Sequence, residues 1–156
     1  MIQRIQSVYL FIVIIILGSM FFFPIAGYYG ELSTYKFTLI GIKNMVPDTP
    51  ALFSIYTTIP LVILVAGIII LAVRGIFMYK NRLKQLKLIK VNILINIILI
   101  IGVFIVYSRW LQSTLSASES FKTAAFFPLI SLLFLILSYY AVYKDEKLVR
   151  SADRLR

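Results

Sequence analysis

Four stretches of the chain carry no charged residue: Ile5 to Gly30, Thr49 to Val73, Val91 to Ser108 and Thr123 to Tyr143. Each holds a continuous apolar run close to the ~20 helical residues needed to cross a ~30 Å hydrocarbon core. In lipid only a helix or a closed barrel satisfies its own backbone, and unbroken apolar runs lack the alternation of barrel strands. The pattern predicts an all-α membrane protein with four transmembrane helices. The spans fall at about 7-23, 51-79, 91-108 and 124-143, in one domain covering 1-156 with a tail at 144-156.

Composition narrows the chemistry. With 61% apolar residues in 156, the four spans leave no room for a soluble domain beside them. There is no cysteine, so disulfides, thiol relays, Cys nucleophiles and thiolate metal sites are excluded. There is no histidine either, which removes imidazole ligands and the usual general base near neutral pH. No catalytic constellation, cofactor or metal site is expected, and no nucleic acid despite the net charge of +10.

The placement of that charge predicts orientation instead. Arg4 precedes the first run, Lys36 and Lys43 follow it, and Arg109 and Lys122 separate the third from the fourth. The middle loop carries Arg74, Lys80, Arg82, Lys84, Lys87 and Lys90, and the tail Lys144, Lys147, Arg150, Arg154 and Arg156. Four crossings put twelve of the sixteen basic residues on one side, which the positive-inside rule makes cytoplasmic. Both termini are expected inside a bacterial inner membrane. The first run is too long for a signal core, and Pro24-Ile25-Ala26-Gly27 is a poor cleavage site, so it is expected to be retained.

Aromatics gather where interfaces should lie. Phe21, Phe22, Phe23, Tyr28, Tyr29, Tyr107, Trp110, Phe126 and Phe127 mark the outer side; Phe77, Tyr79, Tyr139, Tyr140 and Tyr143 mark the inner one. Span 2, read as one helix from Ala51 to Tyr79, would measure roughly 43 Å and project from the membrane. Pro60 inside it predicts a kink, because its ring removes the bond to the Tyr56 carbonyl. Pro128 falls in the first turns of span 4, where it costs little.

Polar residues inside the spans are few. Asn92 and Asn96 share a face of span 3, and Ser131 and Ser138 share one of span 4. All four are candidate interhelical contacts, each worth about 1 kcal/mol. No ionisable residue lies deep in a span, although proton-coupled transporters depend on one.

Three segments outside the spans have character. Ser33 to Ile42 alternates, with Tyr35, Phe37 and Leu39 on one side and Lys36, Thr38 and Ile40 on the other. This predicts a short strand in the loop between helices 1 and 2, leaning on the start of span 2. Glu31 and Asp48 read as solvated charges at the ends of that loop. Lys80, Arg82, Lys84, Lys87 and Lys90 are candidate contacts for anionic lipid headgroups on the cytoplasmic side. The tail mixes acids with bases. Leu148, Ala152 and Leu155 fall at i, i+4 and i+7, and Glu146 and Arg150 form an i,i+4 pair. Span 4 is thus expected to continue as a helix that docks near the basic loop with those apolar residues inward. Leu148, Arg150, Ala152, Asp153, Arg154 and Leu155 form its candidate partner-facing surface.

Met-Ile-Gln-Arg-Ile-Gln-Ser-Val-Tyr-Leu at the start and Lys-Asp-Glu-Lys-Leu-Val-Arg-Ser-Ala-Asp-Arg-Leu-Arg at the end resemble the Bacteroidetes domain-of-unknown-function family 4293. The resemblance implies a small four-helix inner-membrane protein and carries no activity or functional residue with it. From the residues, the leading expectation is a non-catalytic accessory or scaffold subunit with a membrane protein partner or a second copy of itself. The alternative is a small-molecule or lipid-binding transport protein lacking a charged coupling residue.

Overall fold

The structure, a computed structural model, describes residues 5–30, 34–46, 53–78 and 81–153, apart from the side chains at 55, 150, 152 and 153. Four helices dominate: α1 (Ile5–Ser19), α2 (Ile59–Phe77), α3 (Arg82–Leu115) and α4 (Phe127–Asp153). Four short strands accompany them: β1 (Ala26–Tyr29), β2 (Thr34–Thr38), β3 (Gly41–Asn44) and β4 (Ser118–Phe121). Three of the helical stretches, Tyr56–Phe77, Arg82–Leu115 and Thr123–Val149, are long and apolar enough to cross a membrane. The 15 residues of α1 cover only ~22 Å. The helix expected through Phe23 stops at Ser19, whose hydroxyl turns back to the Ile16 carbonyl at 2.7 Å. Turns carry the chain on to Pro24, which cannot continue a helix.

Each helix buries one stripe. The interior residues are Gln6, Leu10, Val13 and Leu17 on α1 and Leu61, Val65, Ile68, Ala72 and Gly75 on α2. On α4 they include Ser131, Leu135, Ser138 and Val142. Steps of three and four are those of one helical face. The helices form a ring in which α1 and α3 each pack between α2 and α4. At Gly75 the helices approach closely: a Cβ there would stand 3.2 Å from Leu10 Cδ1.

On α3 the interior stripe runs Gln85, Ile89, Asn92, Asn96, Leu99, Val103 and then jumps five residues to Ser108. The jump coincides with a π-helical stretch, Gly102–Tyr107, which inserts the extra residue. Ser108 and Leu111 thereby turn inward beneath the sheet, while Val106 faces out. The helix ends at Ser116, whose φ of 45° lies in the left-handed region that closes helices.

The strands make one antiparallel sheet in the order β3-β2-β1-β4, capping the end of the bundle opposite the α2–α3 connection. Tyr35, Phe37 and Leu39 are buried and Lys36 and Ile40 exposed, the sidedness that the alternation predicts. The segment is nonetheless two strands: the chain reverses at Leu39-Ile40 and pairs Phe37 with Ile42. β1 and β4 had no sequence signal. β4 comes from the connection between α3 and α4 and pairs Gly27 with Ser120 and Tyr28 with Glu119.

Pro60 produces no kink within a helix. Phe53 and Ser54 are not helical, a single 3-10 turn covers Ile55–Thr58, and α2 begins at Ile59 with the proline in its first turn. There its missing N–H costs no hydrogen bond. The basic segment is not a separate loop either, since Arg74 lies on α2 and α3 begins at Arg82, carrying Arg82, Lys84, Lys87 and Lys90 in its first turns.

Candidate functional site

Three polar clusters lie along the bundle. The first is the interior row of α3. Gln85 Nε2 donates to the Gly75 carbonyl at 2.9 Å and Asn92 Nδ2 to the Ile68 carbonyl at 3.2 Å, both on α2. Asn96 Nδ2 donates to Ser131 Oγ on α4 at 2.5 Å, and that hydroxyl donates to the Pro128 carbonyl at 2.9 Å. Ser138 Oγ donates to the Gln6 carbonyl of α1 at 3.3 Å. All four helices are joined by these bonds, and every one of these polar side chains is buried. The amide oxygens of Gln6, Gln85, Asn92 and Asn96 accept nothing from the protein. Such burial is costly, so the net worth of each amide is small. Gln85 escapes sequence reading because its neighbours are lysines; its spacing of seven from Asn92 is the signal that places it on the same face.

The second cluster joins sheet to helix around Glu119, the acid of β4. Tyr28 Oη donates to Glu119 Oε1 at 2.7 Å, Gln112 Nε2 donates to Oε2 at 2.6 Å, and Ser108 Oγ donates to the same oxygen. Tyr28 is fully buried, so it is no part of an interfacial aromatic belt. Burial first, then its bond to Glu119 and that carboxylate's charge, push the Tyr28 phenol well above the usual tyrosine range. A carboxylate accepting from three protein donors is committed to holding the cap in place. Nothing in the sequence around Glu119 marks it; only the π insertion, which turns Ser108 and Gln112 toward it, creates the contact. Beside it Tyr107 stacks on Phe37 at 5.7 Å, and its hydroxyl donates to the Thr57 carbonyl at 2.6 Å. Trp110 meets Tyr107 and Phe53 edge-on, closing an aromatic cluster. An apolar cleft of about 360 Å³ opens next to it, lined by Thr57, Pro60, Val106, Tyr107 and Trp110.

The third cluster is basic. Arg82 is half-buried, and its Nη1 donates to the Asp145 carbonyl of α4 at 3.0 Å. Lys90 Nζ lies 5.6 Å from the centre of the Tyr139 ring. Lys84 and Lys87 are exposed and, with Arg74, Met78, Leu88 and Val91, line a cleft of about 310 Å³ between the end of α2 and the start of α3. Lys80 lies outside the described residues.

The tail is helical through Asp153 and touches the start of α3 through Asp145. Leu148 is nevertheless 60% exposed and Val149 43%, so Leu148 points away from the bundle rather than inward. Helix rotation explains this: one face is fixed by Val142 inside, and Leu148, six residues on, is turned about 120° away from it. Arg154 and Leu155, the side chains of Arg150, Ala152 and Asp153, and the loop acids Glu31 and Asp48 lie outside the described residues. Among the described residues no three metal-ligating side chains cluster.

The curated proteins contain no match to the chain. The profile of the family described as a domain of unknown function, DUF4293, matches residues 2–155. With nearly its whole length covered, the chain belongs to the DUF4293 family.

Proposed function

We propose that all four helices cross a bacterial inner membrane, with the basic end and both termini in the cytoplasm and the sheet outside. The charge distribution supports that orientation. The protein's task on this reading is non-catalytic: it is a scaffold or accessory subunit of a larger membrane assembly. The observation that carries the reading is the end of α4, which continues beyond its contact with Arg82 and turns Leu148 and Val149 outward among charged residues. The amide nitrogens of Gln85, Asn92 and Asn96 bond across to neighbouring helices, which supports a role in holding the bundle together.

A photo-crosslinking side chain placed at Leu148 in native membranes should give one discrete protein adduct. Placed at Lys43, on the sheet, it should not give that adduct. Truncation after Lys147 keeps the Arg82–Asp145 contact and should abolish the complex while the bundle still folds. Adducts to lipid alone at Leu148, or an unchanged complex after truncation, would overturn the reading.

A further inference from the structure

We propose that the cleft between α2 and α3 at the basic end is a binding site for an anionic phospholipid, a headgroup site rather than a diffuse basic surface. The two hydrogen bonds Gln85 to Gly75 and Asn92 to Ile68 fix the level of the helices against each other. They set Arg74 opposite the turn of α3 that carries Leu86 and Lys87. Three cations, Arg74, Lys84 and Lys87, therefore converge on one cleft of about 310 Å³, and among the described residues no acid lines it.

The remaining walls decide what kind of anion fits. Lys84, Lys87, Leu88 and Val91 follow one another down a single stripe of α3, so charge gives way to apolar surface toward the middle of the bundle. Met78 supplies the facing apolar wall. One turn deeper Leu94 is 60% exposed and extends the apolar stripe. A phosphate at the level of the cations, with an acyl chain lying over Leu88, Val91 and Leu94, matches both halves; a soluble phosphate would use only the upper half. Selectivity comes from geometry as well as charge. Arg82 and Lys90 belong to the same basic stretch but are turned to α4, by the Asp145 carbonyl and the Tyr139 ring. The guanidinium of Arg74 adds the paired donors that phosphate oxygens accept. The site rests on the reading that this end meets the cytoplasmic leaflet, where anionic lipid is present.

The test uses the purified full chain in mild detergent with an equal mixture of phosphatidylglycerol and phosphatidylethanolamine of matched chains, bound lipid being counted by native mass spectrometry. The chain should retain one phosphatidylglycerol in clear preference. Replacing Arg74, Lys84 and Lys87 together by Gln should lower that preference by up to about a hundredfold, since each basic group near a lipid surface contributes roughly fivefold in binding. A control with Lys36, Lys43 and Arg109 changed to Gln should keep it. All these positions are exposed, so both variants should unfold at the temperature of the parent. Equal retention by parent and cleft variant, or equal loss in the control, would overturn the site. So would complete displacement of the lipid by excess inorganic phosphate, which would make the cleft a soluble-anion site. Sidedness is measured separately, by labelling of intact cells, so a wrong orientation and an absent site give different results.

Discussion

Glu119 shows how much of the sheet end depends on one side chain. Three donors from β1 and α3 converge on its two oxygens, and hydrogen bonds to a charged group are worth ~1.5–3 kcal/mol when both partners are held. Glu119 is only half-buried, so solvent screens part of this. Glu119→Gln should cost about 1–2 kcal/mol, read as a lower unfolding temperature in detergent. Tyr28 adds a pH signature. Its phenol titrates higher in the folded protein than in the unfolded chain. The stability it contributes is therefore complete below about pH 10 and lost as the pH rises toward the raised value. Tyr28→Phe should lower stability at neutral pH but weaken its decline above about pH 10; an unchanged alkaline slope would contradict the assignment. The interior amides behave differently. Each of Asn92 and Asn96 donates one bond and leaves its oxygen without a partner. Changing both to Leu removes the bonds and the desolvation cost together, so stability should stay within about 1 kcal/mol of the parent. A loss of several kcal/mol in unfolding measurements would show that the bonds dominate.

At the scale of elements, apolar runs without charge reveal the helices, and spacing of three and four reveals their interior faces. What the runs do not reveal is where backbone conformation changes within them. Span 2 starts at Ile59 because proline suits a first turn better than a middle one, and the chain before it packs as a 3-10 turn against β3. The sheet was half legible: β2 has the alternation of Tyr35 and Phe37, whereas β4 is Ser-Glu-Ser-Phe and becomes a strand only by pairing with β1. The π stretch in α3 is written in no single residue. It is visible only as the five-residue step from Val103 to Ser108. Deleting Ile105, which is exposed, should restore a regular helix and rotate everything after it by about 100°. Ser108 and Gln112 would then leave Glu119. The check is a double-mutant cycle, in which Glu119→Gln should have a smaller effect in the deletion background, where only the Tyr28 bond within the sheet remains.

For the whole molecule, the candidate residues divide by what the fold makes of them. Asn92, Asn96, Ser131 and Ser138 join helices. Arg82 and Lys90 join α3 to α4. Lys84 and Lys87 face a cleft with Arg74, and Leu148 faces outward. Charge counting treats the basic residues as one population, and only the packing of α3 against both neighbours separates them. The contact between Tyr28 and Glu119 was silent in the sequence because the two residues lie 91 apart in the chain.

The central claim is that four helices cross a membrane with the sheet outside and the basic end inside, although α1 is only 15 residues long. The absence of native cysteine makes a direct measurement simple. Single cysteines replacing Gln3, Lys43, Lys87, Ser113 and Lys147 are exposed to a membrane-impermeant maleimide, first on intact spheroplasts and then after permeabilisation. Lys43→Cys and Ser113→Cys should label in intact spheroplasts. Gln3→Cys, Lys87→Cys and Lys147→Cys should label only once the membrane is opened. Labelling of Gln3→Cys together with Lys43→Cys from outside would show that α1 does not cross, and the reverse of the whole pattern would contradict the orientation.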